Sequence, residues 1–188
     1  MTKVATPYAE ALEIAQELIF RIRPACARIE IAGSLRRLKP EVGDIELVAI
    51  PLYEQNTDLF GHAVGAPVNL IDEALGQISG RGPFAKNGPA FKQFDFLGQS
   101  VDLFLVNADT WGVQFLIRTG NREFSHWMVT PRTLGGALPF GMQVRDGRLW
   151  QKGAPLATPE EIDVFLAAGV PYRAPAARSA QGWFHQPW

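Results

Sequence analysis

The sequence predicts an α+β protein on three observations. Residues 7–23 carry Tyr8, Leu12, Ala15, Leu18, Ile19 and Ile22 at helical spacing, the mark of an amphipathic helix. Residues 91–106 hold two runs of strand character, the alternating Phe91–Leu97 and the nearly all-apolar Val101–Val106. Between them lies Gly98-Gln99, which suits a hairpin connection. The last third mixes short helical patterns with a second hairpin signal.

Taken in order, Thr6-Pro7 opens the first helix with proline at its first position. Arg28–Ala32 reads as a short strand leading into a Gly33-Ser34 turn, and Arg36–Lys39 as a brief helical turn ended near Pro40. Asp44–Ile50 is a strand stopped by Pro51. Val68–Ile78 is expected to be a helix, and the Gly- and Pro-rich stretch 80–90 a loop or hairpin turn. Asp109 is expected to cap a helix running through Trp111 and Phe115 to Ile117, with a subdomain boundary near residue 109. Asn121–Thr130 should be a short helix with Phe124, Trp127 and Met128 on one face. Gly141–Trp150 should be a hairpin turning at Asp146-Gly147. Thr158-Pro159-Glu160-Glu161 reads as a capping box opening a helix to about Ala168, and the tail from Pro171 as irregular. No internal repeat is visible.

Composition narrows the class. The chain has 188 residues, 47% hydrophobic and 20% charged, as in ordinary globular proteins. It has no apolar run of bilayer-spanning length and no secretory h-region, so no membrane partner and a cytoplasmic, unsecreted protein are expected. A lone cysteine and three scattered histidines offer neither a disulfide nor a zinc cluster. The formal net charge of -1 is unusual for a nucleic-acid binder, which normally carries a basic surplus. Either charge is segregated, with bases along one groove, or affinity is weak and salt-sensitive.

The richest chemistry lies in Gly33-Ser34-Leu35-Arg36-Arg37, followed by Gly43-Asp44-Ile45-Glu46. A glycine-serine turn opening a helix offers backbone N–H groups to an anion, and a neighbouring arginine can fork onto a phosphate. Asp44 and Glu46, two apart on a strand, share a face and together can hold a hard divalent cation. A third acid, Asp102, interrupts an apolar strand, where it needs a counter-charge: a salt bridge to an arginine or a metal shared with Asp44 and Glu46.

These segments resemble the nucleotidyltransferase motif of DNA polymerase beta and its relatives, the family X polymerases. That family has Gly-Ser-x-Arg-Arg, then Gly-Asp-x-Asp, and its third acid lies on a later strand resembling Val101-Asp102-Leu103. Thr119-Gly120-Asn121-Arg122-Glu123-Phe124-Ser125 resembles the family's Thr-Gly-Ser-x-x-Phe-Asn, which begins its thumb-like subdomain. Pro159-Glu160-Glu161-Ile162 and Pro171-Tyr172-Arg173-Ala174-Pro175 with Arg178 resemble that subdomain's end, so the likeness spans nearly the whole chain.

The resemblance implies a nucleotidyltransferase palm over residues 1–109, a mixed or antiparallel sheet with helices on one face. A small α+β thumb-like subdomain would occupy 110–188, without lyase or helix-hairpin-helix domains. It implies an enzyme, a DNA-directed DNA polymerase that fills short gaps in DNA repair, working as a monomer on dNTP and primer-template or gapped DNA. Asp44, Glu46 and Asp102 would hold two Mg²⁺ ions, with Mn²⁺ able to substitute. Nucleotide contacts would come from Lys3, Gly33, Ser34, Arg37, Gly43, Gly120, Asn121, Ser125 and His126, and DNA contacts from Lys86, Lys92, Arg118 and Arg122. Glu46 replaces an aspartate, Ile117-Arg118 replaces the family's Tyr-Phe pair that screens the sugar, and Ser125 replaces its asparagine. The alternative is a nucleotidyltransferase acting on an RNA end, a protein or a small molecule.

Overall fold

The computed structural model describes residues 5–179. A two-residue strand β1 (Thr6–Pro7) leads into helix α1 (Tyr8–Ile22), and Pro7, expected as the first helical residue, is instead its extended N-cap. Arg23-Pro24 ends the helix in a 3-10 turn, since proline removes a donor and biases its predecessor away from helix. There follow β2 (Cys26–Ile31), the one-turn helix α2 (Gly33–Arg36), β3 (Glu41–Val42), which pairs with β1, and β4 (Ile45–Pro51). Two short strands, β5 (Tyr53–Glu54) and β6 (Val68–Asn69), flank a long excursion before α3 (Leu70–Gln77). The Asn69 side chain caps α3 by accepting from the Ile71 N–H at 3.0 Å. Next come β7 (Arg81–Asn87), β8 (Phe91–Phe96) and β9 (Gln99–Leu105).

The fold is mixed α+β, and its main sheet runs β2-β4-β9-β8-β7. β4 and β9 are parallel, and the other neighbours are antiparallel. Two expectations for this region are corrected. Residues 81–87 form an edge strand rather than a loop, because an edge tolerates Pro83 and the irregular register beside it. The β8–β9 turn is Leu97-Gly98, both with positive φ, one residue before the expected Gly98-Gln99. Gln99 therefore lies within β9, paired with Phe96.

Alternation along the strands gives the sheet two different faces. Ile45, Leu47, Ala49, Val101, Leu103, Phe94 and Phe96 point to one, where they bury against Ala11, Ala15, Leu18 and Ile22 of α1 and Ile71 and Leu75 of α3. Each large side chain in this core contributes about 1.5–3 kcal/mol. On the other face, Val48, Ile50, Phe104 and Val106 meet Trp111 and Phe115. Those two belong to α4 (Trp111–Thr119), so helices lie on both faces, not one.

The remaining elements are α5 (Arg122–Val129), a hairpin of β10 (Met142–Arg145) and β11 (Arg148–Gln151), β12 (Ala154–Leu156) and α6 (Glu161–Ala168). The hairpin turns at Asp146-Gly147 as expected, with β12 added as a third strand. Val113 and Leu116 of α4 pack with Phe124, Met128, Leu149, Val164 and Phe165 in a second core. Helix α4 is thus buried on two sides, against the sheet face opposite α1 and against the second core, as its nearly continuous apolar character requires.

Its start is capped not by Asp109 but by Asn107, whose side chain accepts from Thr110 N–H through a 3-10 turn. Asp109 pairs instead with Arg148 at 2.5 Å. Helix α6 begins later than expected, with a capping box between Glu160 and Asp163. Thr158 cannot open it, because its carbonyl accepts from Gly112 N–H. A side chain at Gly112 would overlap that carbonyl. Among the described residues, no helix is long and apolar enough to cross a membrane.

Candidate functional site

The face of the sheet shared with α4 carries the acids. The parallel register of β4 and β9 sets Glu46 directly beside Asp102, so both carboxylates leave the sheet side by side. Like charges opposed across strands are destabilising. Asp44 adds a third charge from the bend just before β4, one residue outside the strand expected to hold it. Burial, reinforced by Asp44 and Asp102, pushes the Glu46 carboxyl up to about 7, even though Arg37 and Arg118 pull it the other way. Asp102 accepts a hydrogen bond from Gln93 Nε2 at 2.8 Å, the residue opposite it on β8.

Gly33 is dictated by this arrangement. It holds φ +61°, and a Cβ there would overlap the Glu46 carboxylate. The turn therefore sits against the acids, and Ser34 Oγ beside it is buried with no hydrogen-bond partner. The double arginine divides its work. Arg36 turns away, stacking 3.8 Å over Phe115 and bonding Glu161 at 3.1 and 2.9 Å and Thr119 Oγ1 at 2.5 Å. Glu161 also accepts from the fully buried Arg178 at 2.5 Å. Burial raises the Glu161 carboxyl, but the bonds from Arg178 and Arg36 outweigh it and leave it below its ordinary value. This trio, with Glu161 and Arg178 buried and Arg36 partly so, ties α2 to α6 and the tail.

Arg37 turns toward the acids. Its Nη1 donates to the Thr119 carbonyl, while its Nε is buried without a partner. Arg118, from the last turn of α4, stacks 4.0 Å over Phe104 and also has an unpartnered buried Nε. Burial lowers both guanidinium pKa values, and the Glu46 carboxylate opposes that shift in each. Ser34 Oγ, Arg37 Nε and Arg118 Nε are thus buried without partners, two of them on guanidiniums that act on Glu46 and one beside the glycine that packs on it. Buried polar groups of this kind call for a ligand or water.

Other expected site residues fall in different places. Gly43 lies in the bend before Asp44, and Gly120 packs against Arg37, where a Cβ would come within 2.9 Å of Nη1. Asn121 uses its side chain to cap α5, accepting from Phe124 N–H at 2.9 Å. Ser125 is buried and donates to the Ile117 carbonyl at 2.8 Å, which commits the hydroxyl within the helix pair. His126 is exposed and lines a separate groove with Trp127 and Leu134, away from the acids. Arg122 and Lys86 are exposed.

Lys92, expected at a DNA backbone, is corrected. It is only 2% exposed on the α1 side of the sheet, ion-paired with Asp72 and bonded to Asn87 at 2.7 Å. Its strand position opposite Leu103 turns it into the core. Lys3 lies outside the described residues. Arg118, also expected at DNA, instead joins the acid cluster.

Beside Asp102 opens a cleft of about 780 Å³, walled by the sheet, α4 and two turns. Neither this cleft nor Gln93 was expected, although counting back from a correctly placed hairpin turn sets Gln93 opposite Asp102. Among the described residues, no group of three or more His, Cys, Asp or Glu side chains is set to hold a metal ion. Gln93 hydrogen-bonds Asp102, and Arg37 and Arg118 balance part of the charge of the carboxylates. No protein-family model matches the chain, and no curated protein matches it in sequence.

Proposed function

We propose that this protein is a nucleotidyltransferase that moves a deoxynucleotide from dNTP onto a 3′-hydroxyl of DNA, as the resemblance to family X polymerases implies. In this reading residues 1–109 form a palm and 110–188 a thumb-like subdomain. The observation that carries it is the meeting of three carboxylates with an unpartnered serine hydroxyl and two partly unpartnered guanidiniums. Acids alone would suit many roles, and an anion cradle alone would suit many ligands. Together they suit a substrate that brings both phosphates and a cation.

Asp44, Glu46 and Asp102 are the residues that would hold Mg²⁺, or Mn²⁺ in its place. Their oxygens are the hard donors such ions take, and a cation would relieve the repulsion that raises Glu46. When bound, two such ions supply charge neutralisation for the triphosphate and a lower pKa for the attacking hydroxyl. Ser34 and Arg37 bind the phosphates through the atoms now lacking partners. The 3′-oxygen attacks the α-phosphorus, one P–O bond forms, the bond to the bridging oxygen breaks, and pyrophosphate leaves. Asp102, the acid facing the cleft, receives the hydroxyl proton. Positioning and charge stabilisation supply the catalysis, with no covalent intermediate.

One observation favours the second reading, an acceptor other than duplex DNA. From Pro40 to Gly80 the chain has no lysine or arginine, and Lys92 is buried, which leaves fewer cations for a duplex backbone. Primer extension separates the readings. Gapped duplex, recessed primer and single strand are offered with dNTP or rNTP in Mg²⁺ or Mn²⁺. Templated incorporation on the gap supports gap filling, whereas inactivity on every DNA sinks the DNA reading.

A further inference from the structure

We propose that the cleft beside Asp102 is an acceptor subsite for one unpaired nucleotide, so that the strand being extended presents a single-stranded 3′ end. This deepens the nucleotidyl-transfer reading and rests on it.

Size and shape come first. The cleft measures about 780 Å³ and is bounded by the ends of β4 and β9, by α4, and by the turns at Pro89-Ala90 and Asp146-Gly147. Pockets of roughly 300–1,000 Å³ enclose a single small ligand, whereas a duplex needs an open groove. Asp102 lies in its lining, so an occupant's hydroxyl can meet the carboxylate assigned to take its proton.

The lining chemistry suits a base and one phosphate. Tyr53 is 60% exposed at the rim, whereas Phe91 and Phe104 stack on each other and carry Lys86 and Arg118 over them. An exposed ring such as Tyr53 stacks an unpaired base without regard to sequence. The Gln114 amide offers a donor and an acceptor to a base edge, and Asn107, whose Oδ1 caps the 3-10 turn, offers its NH2. Arg118 is the one cation among the lining residues, against Asp102 and Asp146, and its buried Nε lacks a partner. A single phosphate is matched by a single arginine; a duplex backbone is not.

Ala90 tests this directly, because it is exposed and lines the cleft without joining a core. Metal-free protein is titrated with a labelled six-nucleotide single strand and with the same strand in a blunt duplex, read by fluorescence anisotropy. The expected result is single-strand binding at least tenfold tighter than duplex binding, weakened at least tenfold by Ala90→Trp. The dNTP KM of that variant should be unchanged. Should Ala90→Trp misfold, Tyr53→Ala removes stacking surface from an exposed position and is expected to weaken the same binding. Equal or tighter duplex binding overturns the proposal, as does wild-type binding by the correctly folded variants. Transfer confined to duplex primers and indifferent to Ala90→Trp overturns the subsite but leaves nucleotidyl transfer standing. No transfer to any end, with single-strand binding intact, overturns nucleotidyl transfer and the acceptor role together.

Discussion

Replacing Glu46 by glutamine removes one of three crowded negative charges while keeping the shape of the side chain. Burial and the neighbouring Asp44 and Asp102 raise this carboxyl from its ordinary 4.5 to about 7. At about 1.4 kcal/mol per pH unit, ionised Glu46 therefore costs the fold on the order of 3 kcal/mol. The sign follows from which state holds the proton. Below pH 4.5 both folded and unfolded chains are protonated and nothing is lost. Between 4.5 and 7 the unfolded chain ionises first, so the penalty grows with pH, and above 7 it is complete. Urea denaturation in chelator should find Glu46→Gln matching wild type near pH 4 and more stable, by up to about 3 kcal/mol, at pH 8. Mg²⁺ should narrow the gap at pH 8 by stabilising wild type through linkage. Destabilisation of the variant that grows with pH would refute the reasoning, because Arg37 and Arg118 would then be holding ionised Glu46 as a favourable partner.

Three other outcomes follow from single contacts. Gly33→Ala puts a Cβ into the Glu46 carboxylate at a positive φ; it should cost at least about 1 kcal/mol in thermal or urea denaturation and abolish transfer. Glu161→Ala leaves the fully buried Arg178 without its counter-charge, a loss of about 3–5 kcal/mol, and by freeing Arg36 it should raise the dNTP KM; a stability like wild type would count against the clamp. Lys92→Met removes an ion pair between a buried lysine and the half-exposed Asp72 and should leave oligonucleotide affinity within about twofold of wild type while the change in stability is read by urea. A tenfold loss of affinity would return Lys92 to the nucleic-acid surface.

Much of the site was legible because β-strand alternation is strict. Glu46 in β4 and Asp102 in β9 each sit between apolar neighbours, so their common side of the sheet follows from the pattern alone, whereas Asp44 stands in the bend before β4. The pairing of Glu46 with Asp102 did not follow, since a parallel register is set by the long connection between the strands and not by either strand. The turn after β8 shows how little is needed to go astray. Placing it at Gly98-Gln99 instead of Leu97-Gly98 shifts the register and sets Asp95, not Gln93, opposite Asp102. Leu97 takes a positive φ that its side chain gives no reason to expect. Lys92 was misread for a related cause: alternation within β8 turns it to the α1 side, and only the arrival of Asp72 from α3 makes burial there affordable. Arg36 and Arg37 look equivalent in the chain, and their different fates depend on Glu161, far away in sequence. The cleft needs β9, α4 and the distant Asp146-Gly147 turn at once, so no local pattern announces it.

The most direct test of nucleotidyl transfer is incorporation of labelled dNMP onto a DNA 3′ end in Mg²⁺, with pyrophosphate release followed alongside, for wild type and Asp102→Ala. The account predicts one pyrophosphate per nucleotide added by wild type, and no addition by an Asp102→Ala variant whose circular dichroism and melting match wild type. Failure of wild type on single-stranded, recessed and gapped ends in both Mg²⁺ and Mn²⁺, or undiminished addition by Asp102→Ala, would contradict it.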